Sequence, residues 1–284
     1  MKVQFLGTSA SPSMPLPFCV CEVCRAARQA GGKNLRRCAS LLINDEMLID
    51  LGPDIVSAAF TYDIPLTRVR FCLQTHPHED HFDPELIISR HAKYGTRLAS
   101  PLTLAGSRKT LEALDSLIQQ RCDYGNLFSK STQQALDLEI KEIAPYERYA
   151  IGPYDITGYP ANHATEHTAL LYSIAYEDHA IFYGTDTAPL FNAVWQDLIV
   201  KGIRYDLFIL DHTYGIGYPS SDHLAAEDFI HHVNLINQYR LLKETGRIYA
   251  THLSHEGIQE HEAFQRFANR HGYHIAYDGL AIGL

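Results

Sequence analysis

Short stretches with the signals of β-strands dominate the first part of the chain. Val3–Leu6, Ser40–Ile43 and Met47–Asp50 have the length and spacing of strands, and the last two predict a hairpin. Val69–Gln74 alternates strictly, as a strand with one buried face does. A loop rich in Ser, Pro and Gly fills residues 7–17.

Capping residues and the helical spacing of apolar residues predict three helices before residue 245. One begins after Asp83, where Pro84 suits the first turn, and ends at Gly95. Ser107–Gln120 and His223–Lys243 are the other two. The remaining predicted elements are the strands Asp155–Pro160, Ala169–Tyr176, Ala180–Gly184, Asp206–Asp211, Arg247–Thr251 and Tyr273–Ala276 and the helix Glu260–Asn269.

The order of these elements predicts an α/β fold. Two sets of strands with helices between them indicate one domain, residues 1–284, built on two sheets. Residues 105–150 have weaker periodicity and are predicted to be an insertion or a lid.

Composition narrows the functional classes. The 284 residues include 24 Lys and Arg against 33 Asp and Glu, a net charge of −9. An acidic chain attracts neither nucleic acid nor an anionic membrane, so a polymeric nucleic acid partner is not expected. No apolar run reaches the ~20 residues that a membrane helix needs. The first residues lack the apolar run of a secretory signal, so a cytoplasmic protein is expected.

The most informative motif follows the strand at residues 69–74. His76, His78, Asp80 and His81 place four donors within six residues, and 76, 78 and 80 would share one strand face. Such groups are costly to bury together unless they bind something. Imidazole and carboxylate suit zinc, iron or manganese, so the motif predicts a metal site.

Three further donors stand where predicted strands end: His163, Asp186 and His252. Each alone is a weak signal, because an isolated His or Asp at a strand end is commonly solvated or caps a turn. Cys19, Cys21 and Cys24 form a separate cluster. Six cysteines in a chain this long do not make a disulfide scaffold, so the cluster is interpreted as thiolate ligands.

The order of these donors resembles that of the metallo-β-lactamase superfamily, from Phe5-Leu6-Gly7-Thr8 to Asp278-Gly279. The resemblance implies an αββα sandwich with two mixed sheets flanked by helices. It also implies a two-metal site at one edge, bridged by Asp186. The implied ligands are His76, His78 and His163 on one ion and Asp80, His81 and His252 on the other. Residues 105–150 do not align with confidence to the family pattern.

Within the superfamily, further motifs are similar to the accessory phosphodiesterases of the carbon–phosphorus lyase pathway of phosphonate degradation. They are Cys19-x-Cys21-x2-Cys24, Arg36-Arg37-x-x-Ser40, Asn162-His163, Ser221-Asp222-His223, Thr251-His252-x-Ser254-His255 and Asp278-Gly279. The cysteine cluster and first motif also resemble the B proteins of pyrroloquinoline quinone biosynthesis. The phosphodiesterase resemblance offers His255 as fourth ligand of a structural zinc with the three cysteines.

These similarities imply a hydrolase of small phosphodiesters, with cyclic ribose or nucleotide phosphates as the expected substrates. Two divalent ions, zinc or manganese with iron as the alternative, would serve the active site. His223, expected at a helix start, and Asp80 are the predicted catalytic residues, His223 protonating the leaving group. The alternatives are an iron-dependent oxidative enzyme and a tRNA-processing nuclease of the same superfamily. A homodimer is compatible with this interpretation.

Overall fold

The computed structural model describes residues 1–258 and 260–284 and contains two seven-stranded sheets packed face to face. The strands are β1 (Lys2–Gly7), β2 (Ser40–Ile43), β3 (Met47–Ile49), β4 (Phe71–Leu73), β5 (Leu102–Gly106), β6 (Leu138–Glu142), β7 (Arg148–Ile151), β8 (Tyr154–Pro160), β9 (Leu170–Tyr176), β10 (His179–Gly184), β11 (Tyr205–Asp211), β12 (Leu242–Thr251), β13 (His274–Ile275) and β14 (Ala281–Gly283). The helices are α1 (Glu22–Ala30), α2 (Ile55–Tyr62), α3 (Pro84–Ile88), α4 (Arg108–Gln119), α5 (Lys130–Leu136), α6 (Asn192–Lys201), α7 (Ala226–Gln238) and α8 (His261–Arg270).

Each sheet mixes parallel and antiparallel pairs. The first has the order β14-β1-β2-β3-β4-β5-β6, and it changes from antiparallel to parallel pairing at β3. The second has the order β13-β12-β11-β10-β9-β8-β7 and changes at β10. The predicted α/β class and the two mixed sheets are therefore confirmed.

Three apolar layers hold the sandwich together. The middle layer lies between the sheets, where Phe5, Leu73 and Ile209 are almost fully buried. Leu111 and Leu114 of α4 pack in the layer outside the first sheet, and Phe229 of α7 packs outside the second. Because strands buried on both faces carry few polar residues, the buried carboxylates Asp50, Asp186 and Asp211 lie at or just after strand ends.

Residues up to Glu142 of the range 105–150 extend the first sheet, whereas Arg148 begins β7 of the second sheet. Strand β5 pairs in parallel with β4, β6 pairs in parallel with β5, and α4 and α5 cover their outer face. The weak periodicity has a physical reason, since β6 is an edge strand whose residues alternate between buried and exposed only partly. The interpretation as an insertion or a lid stays a prediction.

The helix predicted for His223–Lys243 is shorter at both ends. Helix α7 begins at Ala226, with Ala225 as its N-cap and no capping side chain. At the other end, Leu242 already pairs with Tyr205 of β11, and this pairing outweighs local helical propensity. Among the described residues, no helix has both the length and the apolar character needed to cross a membrane.

Candidate metal centre

The predicted donors meet at one edge of the sandwich. Strands β10, β11 and β12 are parallel, so their carboxyl ends face the same side. Asp186 follows β10 and His252 follows β12. His163 follows β8, which runs in the same direction as β10 because both are antiparallel to β9. The loop after β4 brings His76 to this edge from the first sheet.

Three histidines form one half of the centre. The Nε2 atom of His76 lies 3.0 Å from Nδ1 of His78, and Nε2 of His163 lies 3.3 Å from the same Nδ1. All three nitrogens lie within 4.8 Å of one another. His76 is fully buried, and this burial lowers its pKa well below the usual value. A neutral imidazole is the form that binds a metal ion.

The other half contains Asp80, His81 and His252, all nearly buried. The Oδ2 atom of Asp80 lies 3.3 Å from Nε2 of His81 and 3.4 Å from Nε2 of His252. Burial alone would lower the pKa of His81, but the carboxylates around it, led by Asp186, raise that pKa well above the usual value. The surroundings therefore favour a positive charge at this point.

Asp186 lies between the two halves. Its Oδ2 is 3.6 Å from Nε2 of His76 and 3.2 Å from Nε2 of His81. Its Oδ1 is 3.2 Å from Nε2 of His252. Burial opposes the ionised form, but the histidines outweigh it and hold the pKa of Asp186 well below its usual range. A carboxylate in this position can offer one oxygen to each of two cations.

The donor set fits divalent ions. Ligands held about 2.0–2.1 Å from one tetrahedral zinc ion lie about 3.3 Å apart, close to most of the separations above. Within the described part of the chain, Nε2 of His81 and Oδ1 of Asp186 are buried without a hydrogen-bond partner. Buried polar atoms rarely remain unpaired, so both atoms are suited to bind a cation. The structure brings together all seven predicted ligands; their binding of ions stays a prediction.

Asp50 orients the first motif from the side that faces away from the metal centre. Its Oδ2 accepts a hydrogen bond from Nδ1 of His81 at 2.7 Å, and its Oδ1 accepts bonds from the backbone N–H of Thr75 and the side chain of Gln74. Because Nδ1 of His81 is engaged, Nε2 is directed at the centre. Partners of this kind set the tautomer and orientation of metal-binding histidines.

Asp211 orients side chains of the metal centre from the second sheet. Its Oδ1 accepts bonds from the backbone N–H and hydroxyl of Thr213, and Oγ1 of Thr213 lies 2.7 Å from Nδ1 of His252. Its Oδ2 accepts a bond from the backbone N–H of Thr187, the residue after Asp186. The same oxygen lies 2.7 Å from Nδ1 of His223. One carboxylate therefore orients a predicted ligand and the predicted general acid.

His223 lies in the loop before α7 and not at the helix N-terminus, which corrects the sequence expectation. Its ring is 4.7 Å from that of His163 and 5.2 Å from that of His252, between centroids. Burial disfavours the charged ring, but Asp211 outweighs this and raises the pKa of His223 to about 9. Since Nδ1 faces Asp211, Nε2 is turned towards the cavity, where Oδ2 of Asp222 lies 3.9 Å from it.

A cavity of about 420 Å³ opens over the centre. Asp80, Asp186, His223 and the other predicted ligands His78, His163 and His252 line it. Its described lining also includes Asp222 and Glu256 but no Lys or Arg. The bare cavity is thus acidic, and cations bound at its floor would be its main source of positive charge.

The predicted structural zinc site is assembled at the far side of the His252 loop. The Sγ atoms of Cys19, Cys21 and Cys24 lie 3.5, 3.4 and 3.6 Å from Nδ1 of His255. A thiolate and an imidazole on one tetrahedral zinc ion lie about 3.5 Å apart. The donors fit zinc, and the site would tie α1 to the loop that carries His252.

We expect Cys21→Ser to release one zinc ion per chain and to lower the thermal midpoint by several degrees, with activity falling as the loop loosens. Serine can keep the N-cap that Cys21 provides to α1, so the loss would report on the ion. Cys122→Ser, outside the cluster, is the control. Metal analysis and differential scanning calorimetry check this, and an unchanged zinc count in Cys21→Ser would refute it.

Sequence reasoning missed Asp50 and Asp211 as supporting residues. A buried Asp at the end of an apolar strand was the available signal, since Asp50 follows β3 and Asp211 ends β11. Their partners are 31 and 12 residues away, so spacing alone could not reveal the contacts.

Comparisons with known proteins agree with this geometry. The family profile described as "Beta-lactamase superfamily domain" matches residues 46–261, more than half of the chain. A search of curated proteins found no match. Among solved structures, the chain is similar to a diphosphatase of the PhnP family, with 20% identity, a TM-score of 0.72 and coverage of 99% of this chain and 96% of that one.

Two other solved structures are also similar over their full length. Zinc-bound PqqB from Methylobacterium extorquens shares 18% identity with a TM-score of 0.72, covering 100% of both chains. The short form of human tRNase Z shares 15% identity with a TM-score of 0.64, covering 100% of this chain and 99% of that one. At these identities the likeness shows the fold, and this fold implies binding of divalent metal ions.

Proposed function

The chain belongs to the β-lactamase superfamily, and we propose that it is a two-metal-dependent hydrolase of small phosphodiesters, with cyclic ribose or nucleotide phosphates as substrates. The observation that carries the proposal is the position of Asp186, whose Oδ2 approaches one histidine of each half, His76 and His81, while its Oδ1 approaches His252. A pair of cations held in this way suits in-line displacement at phosphorus.

The ligands divide into a three-histidine set and a mixed set that includes Asp186, whose Oδ2 also lies 3.6 Å from His76 of the first set. When two divalent ions are bound there, they supply Lewis acidity for the phosphoryl oxygens and lower the pKa of water. Nitrogen and carboxylate donors suit zinc or manganese, and iron is compatible with the same set. Asp80 also lines the cavity, where its carboxylate can accept a hydrogen bond from the attacking water and orient it.

His223 acts on the leaving group. Attack of water oxygen at phosphorus breaks the bond to the alcohol oxygen, and that oxygen must receive a proton. His223 donates the proton from Nε2, while Nδ1 keeps its hydrogen bond to Asp211. Asp211 thus stabilises the charged ring before the transfer and holds its orientation afterwards. This arrangement is that of a general acid with a positioning carboxylate.

A small substrate is favoured over a nucleic acid polymer. The described lining of the cavity has no Lys or Arg, and the chain carries a net charge of −9. Binding of a polymer depends on basic side chains that neutralise several phosphates. A substrate whose single reacting phosphate meets the bound ions needs no such surface. Similarity of fold to a tRNase therefore does not carry a nuclease function here.

We expect 2′,3′-cyclic nucleotides to be hydrolysed faster than linear dinucleoside phosphates, because opening the five-membered ring releases strain on the way to the transition state. The measurement is kcat/KM for both substrates with protein reconstituted with zinc or manganese. Apo protein is the control. Turnover of bis-aryl phosphates with no cleavage of any cyclic phosphate would contradict this proposal.

A further inference from the structure

A second groove lies beside the metal centre. One wall is a face of α4 that carries Lys109, Glu112 and Ser116, and the floor is the loop with Pro77 and Glu79. Its volume is about 620 Å³, within the ordinary range for a small-molecule site. We call this groove the side groove. His78 and Glu79 line both the side groove and the cavity over the metal centre. A substrate held at the ions can therefore extend into it.

The second wall of the side groove is fixed in place. Glu166 and His167 form a short turn after His163. The carbonyl oxygen of His167 accepts hydrogen bonds from Oγ of Ser107 at 2.9 Å and from Oγ1 of Thr110 at 3.1 Å. Both donors belong to the start of α4, so the turn and the helix hold each other. The groove is therefore preformed, which spares a ligand the cost of ordering it.

Its described lining is acidic. Three carboxylates face one lysine there: Glu79, Glu112 and Glu166 against Lys109. Glu112 is held by Arg108 at 2.7 Å, and Arg108 also binds Glu142 at 2.7 Å, so these three side chains together carry one net negative charge. The side chain of Glu166 is 65% exposed and lies 3.8 Å from Nε2 of His167. Together with Asp222 and Glu256 of the adjoining cavity, these carboxylates make the path from the ions negative.

We propose that the side groove binds the alcohol part of the substrate and excludes a second phosphate on it. This inference rests on the proposed function and narrows its substrate class to diesters whose only negative charge is the reacting phosphate. Hydroxyl groups of a sugar can donate hydrogen bonds to the carboxylates, whereas an added phosphate dianion would be repelled by them. The groove thereby favours an uncharged nucleoside or sugar over its phosphorylated form.

The test compares two substrates that differ by one group: a nucleoside 2′,3′-cyclic phosphate with and without a 5′-phosphate. We expect kcat/KM to be about tenfold higher for the substrate without the 5′-phosphate at low salt. The ratio should shrink towards one in 1 M salt, where charges are screened within about 3 Å instead of about 10 Å at 0.1 M. A steric barrier would give a ratio that salt does not change.

A charge reversal at Glu166 tests whether the carboxylates of the side groove cause the substrate preference. Glu166→Lys should reduce the preference by about tenfold, mainly by raising kcat/KM for the phosphorylated substrate. Glu244→Lys makes the same charge change near the start of β12, at the opposite end of that strand from His252, and should leave the ratio unchanged. An unchanged ratio in Glu166→Lys, or a wild-type preference for the 5′-phosphorylated substrate, would overturn the inference.

Binding of products gives a second readout. Isothermal titration calorimetry with a nucleoside 2′-phosphate and its 5′-phosphorylated form should show the same order of affinities and the same response to Glu166→Lys. Equal affinities would overturn the inference. Hydrolysis of both cyclic phosphates without preference would overturn the groove's role alone, whereas hydrolysis of neither would overturn the proposed function as well.

Discussion

Asp186→Ala should reduce phosphodiester turnover by about a thousandfold or more while the protein stays folded. Stabilisation by bound ions is worth several kcal/mol, and each 1.36 kcal/mol corresponds to tenfold in rate. Asp186 is the one residue whose oxygens approach donors of both halves, at 3.6 Å from His76 and 3.2 Å from His252, in the described structure. Removing Asp186 should therefore remove the one carboxylate that could bind both ions.

The thermal midpoint of Asp186→Ala should change much less than its kcat. The substitution removes a buried charge, and the end of that unfavourable burial offsets part of the lost contacts. Asp206→Asn is a matched control, because Asp206 is a largely buried carboxylate at the start of β11, where it accepts a bond from the N–H of Ala180. The measurements are kcat, metal content and thermal midpoint for each variant. Wild-type turnover with two ions per chain in Asp186→Ala would show that the assignment is wrong.

His223→Ala should slow substrates with poor leaving groups by about 10²–10⁴-fold, the usual range for general acid catalysis. Alkoxide leaving groups need the proton from Nε2, whereas nitrophenolate leaves without it. The split between the two substrate types is thus the signature of proton donation. The contents of active-site ions should remain at the wild-type level, because Nδ1 of His223 binds Asp211 and the seven predicted ligands stay in place.

A control for this variant is His231→Ala, which removes an exposed histidine of α7. It should leave both substrate types at wild-type rates. If His223→Ala lowered the rates on alkyl and nitrophenyl esters by the same factor, His223 would have a role in binding or structure instead of proton transfer.

How much the sequence predicts depends on the range of the contacts involved. Strand β2 has the predicted bounds Ser40–Ile43, because a short apolar run followed by turn residues is a local signal. The first motif is equally local, since its four donors lie within six residues. His163, Asp186 and His252 were weak signals individually, and only the likeness to a family placed them together. The folded chain joins them because parallel strands end at one edge.

Errors arose where tertiary contacts outweigh local preference. The helix predicted to run from Asp83 to Gly95 ends at Ile88, and Gly95 ends a separate short turn at Ala92–Tyr94. Helix α1 was missed because its apolar residues are few, and Cys21 caps it with a thiol that is not a common helix signal. The positions of Asp50 and Asp211 behind the ligands required the full fold, since each contacts backbone and side chains from several strand ends.

Hydrolysis at phosphorus requires solvent water as the nucleophile. The reaction of the metal-reconstituted protein with a 2′,3′-cyclic nucleotide in water enriched in oxygen-18, followed by mass spectrometry and phosphorus-31 NMR of the product, tests this requirement. We expect a phosphate monoester with one solvent oxygen on phosphorus. A product that carries the label on the sugar, or the absence of any product, would contradict it.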